Sequence, residues 1–439
     1  VNVESEETHM IWNEEKECMS RDQMADLQGK QLVKLVRYMY RNVGYYRKKM
    51  KKLGLEPGDI RGIEDLSKLP FTTSEDLQDA YPNGMFAVPV SKLVRYGTID
   101  SASGAELIVG YTQNDLNLWS ECMARSIAMA GLGKNDVIQI AYDPENWVEG
   151  LGSLSGAERI GATAIPMPTD PKKDLMSAIR KFHVTGIIGT PSYLMHLARM
   201  IEKKGMSSEL LKAAVCGGTF WADKTRKKVQ DVFGIRMYDI YGMDELMGLG
   251  VAGECKCQNG MHVQEDYFIA EVLDTETLIA VVDGVLGEIV FTTLQKQGIP
   301  LIRFRTMNIT RINHEKCECG RTSARIDRIC ARTEDIVYIR GNSILLFSIE
   351  NALSQLREIK ASYIVTIKRA HGLDIVDVCI ESSRIDELMQ SDNGEMVKRC
   401  VADVVGKVIG MKPNVHINES GITRLYNRRK VTIIDERRF

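Results

Sequence analysis

Cysteine and histidine side chains crowd into two short stretches of this chain. Cys255, Cys257 and His262 lie within eight residues, and Cys317 and Cys319 follow after a β-rich stretch. Thiolates and imidazole are the ligands that tetrahedral zinc prefers, and a complete set of protein ligands leaves no open position for water. We therefore predict a structural zinc site formed by Cys255, His262, Cys317 and Cys319.

Alternatives remain open at this site. The sequence does not distinguish Cys255 from Cys257, since either of two nearby thiols can face the ion. Reduced cysteines that only pack in a core are a second interpretation. Gly320 and Arg321 weigh against it, because they close a C-x-C-G-R turn where an apolar strand would continue. We expect His314 to be an exposed loop residue rather than a ligand.

The composition indicates an ordinary globular chain. Its 439 residues exceed the roughly 250–300 at which single hydrophobic cores stop growing, so at least two domains are expected. No stretch offers the ~18 apolar residues of a membrane span. The formal net charge is only −2, and neither nucleic acid nor membrane is an expected partner. Residues 1–10 do not resemble a secretion signal, so we expect a cytoplasmic protein.

The elements that position these residues change character along the chain. Apolar residues recur at helical spacing from Arg21 to Lys51, which predicts one amphipathic helix. Strand-like runs then alternate with helical stretches, and this alternation predicts an α/β fold with parallel sheets. The runs are VIQIAY, ATAIPM and TGIIGTPS, and the helical stretches are LGSLSGAERIG and KKDLMSAIRKF.

The second half of the chain carries two further patterns. Residues 268–311 contain four strand-like runs separated by turn signals, which predict a β-meander or small barrel. These runs are IAEVLD, LIAVVD, GEIVFTTL and PLIRFRT. After Arg332, the strand–helix–strand pattern predicts a compact α+β unit of about a hundred residues.

Several longer stretches resemble the phenylacetate–coenzyme A ligases, a branch of the adenylate-forming enzymes. The resemblance runs from Ile11 to about Glu350 and resumes at the C-terminus. The stretches that carry it are YMYRNVGYYRKKM, LSKLPFTTSEDL, YPNGMFAVP, SGAERIGATAIPM, TPSYLMHLA, GMHVQEDYF, GEIVFTTL, PLIRFRT and CECGRTSARIDRI.

This resemblance implies a fold, a reaction and a set of partners. A carboxylic acid attacks the α-phosphate of ATP and releases pyrophosphate, and coenzyme A then displaces AMP to give a thioester. An N-terminal adenylation domain (residues 1–331), a hinge (332–335) and a mobile C-terminal domain (336–439) are expected. The implied cofactors and partners are Mg²⁺, ATP or AMP, coenzyme A and a small acid, and a homodimer is one expected assembly.

One nucleotide motif matches the family closely. Tyr241-Gly242-Met243-Asp244-Glu245 resembles the family's Tyr-Gly-x-(Ser/Thr)-Glu. The resemblance implies that Tyr241 covers the adenine and that Glu245 holds magnesium against the phosphates. Asp244 replaces a hydroxyl, and its carboxylate would repel phosphate unless a metal intervenes.

The phosphate loop departs further from the family. The family's Ser-Ser-Gly-Thr-Thr-Gly-Lys-Pro aligns with residues 99–106, where Ser103 and Gly104 keep their places. Ala105 replaces the lysine, while Asp100 and Glu106 add negative charge. Such loops hold phosphates through backbone N–H groups, hydroxyls and lysine. We therefore expect ATP to bind weakly relative to AMP.

Three more positions follow from the resemblance. Asn308 replaces the aspartate whose carboxylate accepts hydrogen bonds from ribose, and Gly217-Gly218-Thr219 replaces Gly-Ala-Glu or Gly-Gly-Glu beside the adenine and acyl group. The family's C-terminal Gly-Lys pair aligns with Arg428 and Arg429. Arg429 would then stabilise charge during adenylation, with Lys430 as a rival and a solvated basic tail as the other interpretation.

Two functions remain open at this point. The first is an AMP-forming ligase that joins an aryl or related acid to coenzyme A, with Phe220, Trp221 and Tyr142 as candidate pocket residues. The second is a divergent relative that binds acyl, adenylate or coenzyme A groups with weakened ATP turnover, because the replacements concentrate where triphosphate is handled.

Overall fold

The computed structural model describes residues 11–100, 106–142, 147–167, 179–204, 210–219, 221–340, 342–354, 356, 362–370, 373–382, 393–419 and 431–438. The chain divides into two compact units, residues 1–329 and 330–439. The predicted hinge, residues 332–335, lies near the start of the second unit. None of the described helices has both the length and the apolar composition that a membrane crossing requires.

The first unit combines helices with fourteen described strands. The helices are α1 (Glu14–Glu17), α2 (Arg21–Asn42), α3 (Gly44–Lys52), α4 (Ser74–Asp79), α5 (Gln113–Met129), α6 (Trp147–Arg159), α7 (Pro191–Lys204) and α8 (Asp223–Phe233). The strands are β1 (Arg95–Asp100), β2 (Glu106–Tyr111), β3 (Val137–Ala141), β4 (Thr163–Pro166), β5 (Gly186–Gly189), β6 (Ala213–Cys216), β7 (Arg236–Met243), β8 (Gly248–Glu254), β9 (Met261–Val263), β10 (Phe268–Leu273), β11 (Gly287–Thr293), β12 (Phe304–Thr310), β13 (Ile312–Asn313) and β14 (Arg325–Ile326).

A nine-stranded sheet forms the centre of this unit. Its order is β13-β14-β9-β8-β7-β6-β5-β3-β4. The half from β4 to β7 is parallel, and the half from β7 to β13 is antiparallel. Strands β5 and β6 are short apolar runs buried along their whole length, as expected where a parallel sheet is covered on both faces. The predicted α/β class with parallel strands is confirmed.

The N-terminal helical region differs from its prediction. One helix was predicted to Lys51, but the chain leaves the helical conformation at Val43, with φ −111° and ψ 106°. The break turns the second helix, α3, so that Tyr46 and Met50 are fully buried. Helical spacing alone identified the apolar face, and packing against the rest of the unit set the break.

The β-rich segment also differs at one predicted strand. Strands β10, β11 and β12 pair antiparallel in sequence order, as in the predicted meander. The run LIAVVD forms only an isolated bridge between Leu273 and Ala280. The Asp274 carboxylate accepts hydrogen bonds from the backbone N–H groups of Glu276 and Thr277, and this turn replaces the strand.

The second unit has its own core. A sheet of order β20-β19-β18-β21 packs with helices, and β16 and β17 form a separate antiparallel pair. This agrees with the predicted α+β unit. Its elements are β15 (Ala331–Arg332), β16 (Ile336–Ile339), β17 (Asn342–Leu345), α9 (Leu346–Ser354), β18 (Ser362–Ala370), β19 (Leu373–Ser382), α10 (Asn393–Ile409), β20 (Asn414–Glu419) and β21 (Val431–Asp435).

Candidate active site and metal centre

Polar residues gather where the parallel strands end. Tyr142 follows β3, Gly217 follows β6, and Asp244 follows β7. The carboxyl ends of neighbouring parallel strands share one edge of the sheet, which is where open α/β sheets bind ligands. We therefore take this edge as the candidate active site.

The predicted adenine and ribose positions are in contact. Asn308 Nδ2 donates a hydrogen bond of 3.0 Å to the Tyr241 hydroxyl and contacts Met243 Sδ at 3.3 Å. The Tyr241 ring stacks on Phe291 with centroids 5.9 Å apart. Asn308 is buried on β12 and Tyr241 on β7, so two distant motifs meet in one place.

Gly242 allows the strand to turn tightly after Tyr241. A Cβ built on Gly242 would stand 1.9 Å from the carbonyl oxygen of Gly248, so a side chain has no room there. The turn between β7 and β8 contains Asp244 and Glu245, and Glu245 is 7% exposed. The glycine therefore holds the acidic pair close to the sheet edge.

A buried lysine that the sequence did not single out holds this turn. Lys296 is 2% exposed, and its Nζ donates hydrogen bonds to the carbonyl oxygens of Glu245 at 2.9 Å and Leu246 at 2.6 Å. Its ammonium also stands 5.6 Å from the centre of the Tyr111 ring. Asp115 fixes the lysine's own loop by accepting hydrogen bonds from the backbone N–H groups of Gln297 and Gly298.

The electrostatics of the turn follow from burial. Desolvation, together with the negative charges of Glu149 and Glu245, raises the pKa of Asp244 to about 8. Desolvation lowers the pKa of Lys296 to about 8, against the opposing influence of nearby carboxylates. The site therefore concentrates carboxyl groups that a cation or a hydrogen-bond donor would stabilise.

Gly217 and Gly218 form the neighbouring loop. A Cβ on Gly217 would stand 2.7 Å from Ile240 atoms, and Gly218 has a positive φ of 87°. The carboxylate oxygen Oε1 of Glu149 lies 3.9 Å from the point where a Cβ of Gly218 would stand. Gly217 brings the main chain close to β7, the carboxylate of Glu149 lies beside Gly218, and Thr219 is exposed.

Glu149 is a second residue that sequence reasoning missed. It lies in the first turn of α6. Burial raises the pKa of Glu149, and its charge contributes to the raised pKa of Tyr142, for which burial is the largest cause. A single glutamate in a helix does not reveal which way its side chain points, so the sequence did not identify it.

The helix that carries Glu149 is anchored to the β1–β2 hairpin. Trp147 Nε1 donates a hydrogen bond of 3.2 Å to the Thr98 carbonyl oxygen. Its ring fills the space beside Gly97, where a Cβ would come within 2.7 Å. Asp100 pairs with Glu106 at the end of the hairpin. The predicted phosphate-loop residues Ser103 and Gly104 lie outside the described residues, as do Phe220, Arg429 and Lys430.

The predicted metal ligands converge in the structure. The ligand atoms of Cys255, His262, Cys317 and Cys319 all lie within 4.8 Å of one another. Cys255 Sγ stands 3.8 Å from Cys317 Sγ, and Cys319 Sγ stands 3.5 Å from His262 Nε2. With Zn–S near ~2.3 Å, tetrahedral geometry places sulfur ligands about 3.8 Å apart, so these side chains fit zinc.

Neighbouring residues orient the metal-binding side chains. His262 Nδ1 stands 3.1 Å from Ser323 Oγ, which leaves Nε2 to face the thiols. Arg321 Nη1 lies 3.6 Å from Cys319 Sγ, and its Nε donates to the Glu17 carboxylate. Such outer contacts fix the ligand geometry of metal sites. Among the described residues, the converging group contains Cys255 and not Cys257, and His314 is exposed in a loop where it pairs with Asp283.

Comparisons with known proteins agree with this arrangement. The family model described as AMP-binding enzyme matches residues 112–295, and the AMP-binding enzyme C-terminal domain matches residues 341–437. The fold and its sheet-edge site thus define an adenylate-forming enzyme. A phenylacetate-coenzyme A ligase of Thermus thermophilus is 35% identical over 416 residues, covering 90% of this chain and 94% of the relative. That of Pseudomonas putida is 34% identical, covering 96% of both chains.

The chain belongs to the phenylacetate–coenzyme A ligase family of AMP-binding enzymes. A solved structure of 2-hydroxyisobutyryl-CoA ligase, in an open conformation with 2-HIB-AMP and CoA, matches it with a TM-score of 0.82. The match covers 98% of this chain and 95% of that one at 22% identity, and this likeness concerns the fold. These comparisons confirm the predicted fold class and the predicted membership of the phenylacetate–coenzyme A ligase family.

Proposed function

We propose that this AMP-forming acid–coenzyme A ligase acts on an aryl carboxylic acid. The observation that carries the proposal is the resemblance of nearly the whole chain to phenylacetate–coenzyme A ligases of several bacteria. The contact between Tyr241 and Asn308 supports nucleotide binding, because it joins the two motifs to which the resemblance assigns the adenine and the ribose. ATP, coenzyme A and the acid are the proposed small-molecule partners.

Each residue has a proposed role. Tyr241 covers the adenine, Asn308 bonds the ribose, and Glu245 holds Mg²⁺, which would neutralise phosphate charge. Gly217, Gly218 and Thr219 border the adenine and acyl group, and Gly242, Met243 and Asp244 complete the turn. Ser103 and Gly104 contribute to phosphate binding, and Arg429 or Lys430 stabilises charge during adenylation.

Two coupled assays test this proposal. Pyrophosphate release with ATP and a panel of aryl acids reports adenylation, and thioester formation with coenzyme A reports the second step. We expect both products with at least one aryl acid. The absence of pyrophosphate with every acid of the panel, at enzyme concentrations that bind AMP, would contradict ligase turnover.

The converging cysteines and histidine support a structural zinc ion. The donor set of three thiols and one imidazole is the chemistry that closed zinc sites use, and its spacing fits tetrahedral coordination. Zinc would cross-link β8 and β9 to the segment after β13. Its role here is stability, since four protein ligands leave no coordination position for a substrate.

We further propose that residues 332–335 act as a hinge between an adenylation domain and a mobile C-terminal domain. The segment Thr333–Asp335 is a short 3-10 helix that begins with a hydrogen bond between the Arg332 N–H and the Asp335 carboxylate. Limited proteolysis should cut near Arg332 to Glu334, with a rate that changes when nucleotide is added. Uniform resistance with and without ligands would argue against a hinge.

A second candidate function rests on the phosphate loop. Ala105 replaces the loop lysine, and Asp100 and Glu106 add negative charge. These changes favour a protein that binds acyl-adenylate or coenzyme A with weak ATP turnover. Titration calorimetry with ATP, AMP and coenzyme A separates the two functions.

We also propose that the protein is cytoplasmic and forms a homodimer. Cell fractionation tests the location, and light scattering tests the assembly.

A further inference from the structure

The edge of the sheet beside Gly217 carries more polar groups than an apolar acyl chain requires. Tyr142 is 8% exposed, and among the described residues its hydroxyl has no hydrogen-bond partner. A buried hydroxyl without a partner destabilises the fold, so such groups are rarely kept without a use. The unpartnered hydroxyl is therefore a sign that a ligand completes this region.

The carboxylate of Glu149 belongs to the same region. Burial is the largest cause of the raised pKa of Tyr142, and the charge of Glu149 adds to it. Tyr142 follows β3 and Gly217 follows β6, so both lie at this edge of the sheet. The carboxylate of Glu149 therefore belongs to the same part of the edge as the Tyr142 phenol.

Glycine forms the main chain beside this carboxylate. Gly218 carries no side chain, and Glu149 Oε1 lies 3.9 Å from where its Cβ would stand. Gly217 packs closely against Ile240, since a Cβ there would come within 2.7 Å of it. Residue 218 therefore places no side chain against the Glu149 carboxylate.

We propose that Glu149 is a specificity-determining residue that selects an acid whose acyl portion carries a hydrogen-bond donor, such as a hydroxyl or ammonium group. This inference rests on the ligase function proposed above. The acyl group extends from the adenylate site at Tyr241 along the strand ends toward Tyr142 and Glu149. A donor on the acid bonds the carboxylate, and the Tyr142 hydroxyl bonds the same substituent.

The energetic reason is desolvation. An unsubstituted phenyl ring against Glu149 removes water from the carboxylate and gives no bond in return, which costs more than leaving a neutral group unpaired. A site built to bond a donor rejects the analogue that lacks it far more strongly than a hydrophobic pocket rejects one extra methylene. We expect at least a ~10-fold preference in kcat/KM for the best donor-bearing acid over phenylacetate.

The test compares phenylacetate with two series of substituted acids in four proteins. The substituted acids are the 2-, 3- and 4-isomers of hydroxyphenylacetate and of aminomethylphenylacetate. The proteins are wild type, Glu149→Leu, Glu149→Gln and the matched control Glu158→Leu, whose glutamate is exposed on the same helix. Pyrophosphate release gives kcat/KM for each pair. The hydroxyl series separates a neutral donor from the cationic one.

Glu149→Leu should remove the preference for donor-bearing acids and raise kcat/KM for phenylacetate, while Glu158→Leu keeps the wild-type ratio. A glutamine at position 149 retains an acceptor oxygen without charge. Glu149→Gln should therefore keep most of the preference for hydroxyl groups and lose most of the preference for ammonium groups. An identical ratio in wild type and Glu149→Leu, with active enzyme, overturns the inference and leaves the ligase function standing.

A binding measurement keeps the inference testable if turnover fails. Calorimetry with acyl-sulfamoyl adenosines, made from phenylacetic acid and from the hydroxy- and aminomethyl-phenylacetic acids, reports acyl selectivity without adenylation. A Glu149-dependent preference for a donor-bearing compound supports the inference even without pyrophosphate release, which would contradict only the ligase turnover. Equal binding of all compounds by wild type, or no binding of any, overturns it.

Discussion

The buried ammonium of Lys296 donates a hydrogen bond of 2.9 Å to the main-chain carbonyl oxygen of Glu245. A second bond goes to the carbonyl oxygen of Leu246. Lys296 therefore fixes the turn whose side chains are proposed to meet magnesium and phosphate, although it is 51 residues away from Glu245 in sequence. Its two hydrogen bonds go to the main chain of the turn, so we expect it to act as a positioning residue.

Replacing this lysine tests its positioning role. Lys296→Met leaves two buried carbonyl oxygens without their donor, which should lower the free energy of unfolding by about 1–3 kcal/mol and weaken magnesium–ATP binding by about 10-fold. Lys227→Met is the matched control, since Lys227 is exposed and pairs with its helix neighbour Asp231. Calorimetry and chemical unfolding measure the two effects. Equal nucleotide affinity in both variants contradicts the role.

The two nearby thiols give a matched pair for the zinc proposal. Purified protein should contain about one zinc per chain, and Cys255→Ser should lose it together with several degrees of thermal stability, because metal binding contributes to folding free energy. Cys257→Ser should retain both. Elemental analysis and thermal melting report the outcome. If only Cys257→Ser loses zinc, then Cys257 and not Cys255 is the zinc ligand.

The hydrogen bond between Tyr241 and Asn308 gives a prediction for the nucleoside. Tyr241→Phe keeps the ring that stacks on Phe291 and removes the acceptor of the Asn308 amide. AMP should bind about 5-fold more weakly, as expected for the loss of one hydrogen bond worth ~1 kcal/mol. Tyr40→Phe is the control, because Tyr40, in helix α2, also loses a hydroxyl hydrogen bond, which it donates to Glu56. Unchanged AMP affinity in Tyr241→Phe would show that the pair does not organise the site.

Restoring the family's phosphate loop should change the relative affinity for ATP and AMP. The double variant Asp100→Ser, Ala105→Lys adds a cation and removes a carboxylate, and ATP should bind more tightly while AMP changes little. Asp100→Ser with Ala105→Leu separates the lysine from the loss of charge. Titration calorimetry measures both nucleotides. If wild type already binds ATP as tightly as AMP, the loop replacements do not weaken triphosphate binding.

Asp244 makes stability depend on pH. Its pKa is raised to about 8 in the folded protein, against about 3.9 in an unfolded chain. Between these values the folded state holds a proton that the unfolded state has released, so this contribution to stability is lost as pH rises. The free energy of unfolding of wild type, without nucleotide or metal, should therefore fall relative to that of Asp244→Asn from pH 5 to pH 8. Parallel curves in urea unfolding would contradict the raised pKa.

The sequence predicted the elements better than their ends. Alternating apolar runs identified β3, β4 and β5 and the parallel sheet, because buried strands need a fixed pattern of apolar residues. The helix break at Val43 and the replacement of the predicted LIAVVD strand by a turn at Asp274 were not predicted. Both depend on what the segment packs against or bonds locally, and periodicity carries neither kind of information.

The sequence by itself identified the cysteines and the histidine of the proposed metal centre and the nucleotide motifs that resemble the family's, because these chemistries require particular residue types. Only the tertiary structure selected Cys255 over Cys257 for the converging group. It also brought Lys296 to the carbonyl oxygen of Glu245 and the Glu149 carboxylate to the main chain of Gly218. Those contacts join residues far apart in the chain. Strand order and the direction of each side chain decide them, and neither can be read from a local pattern.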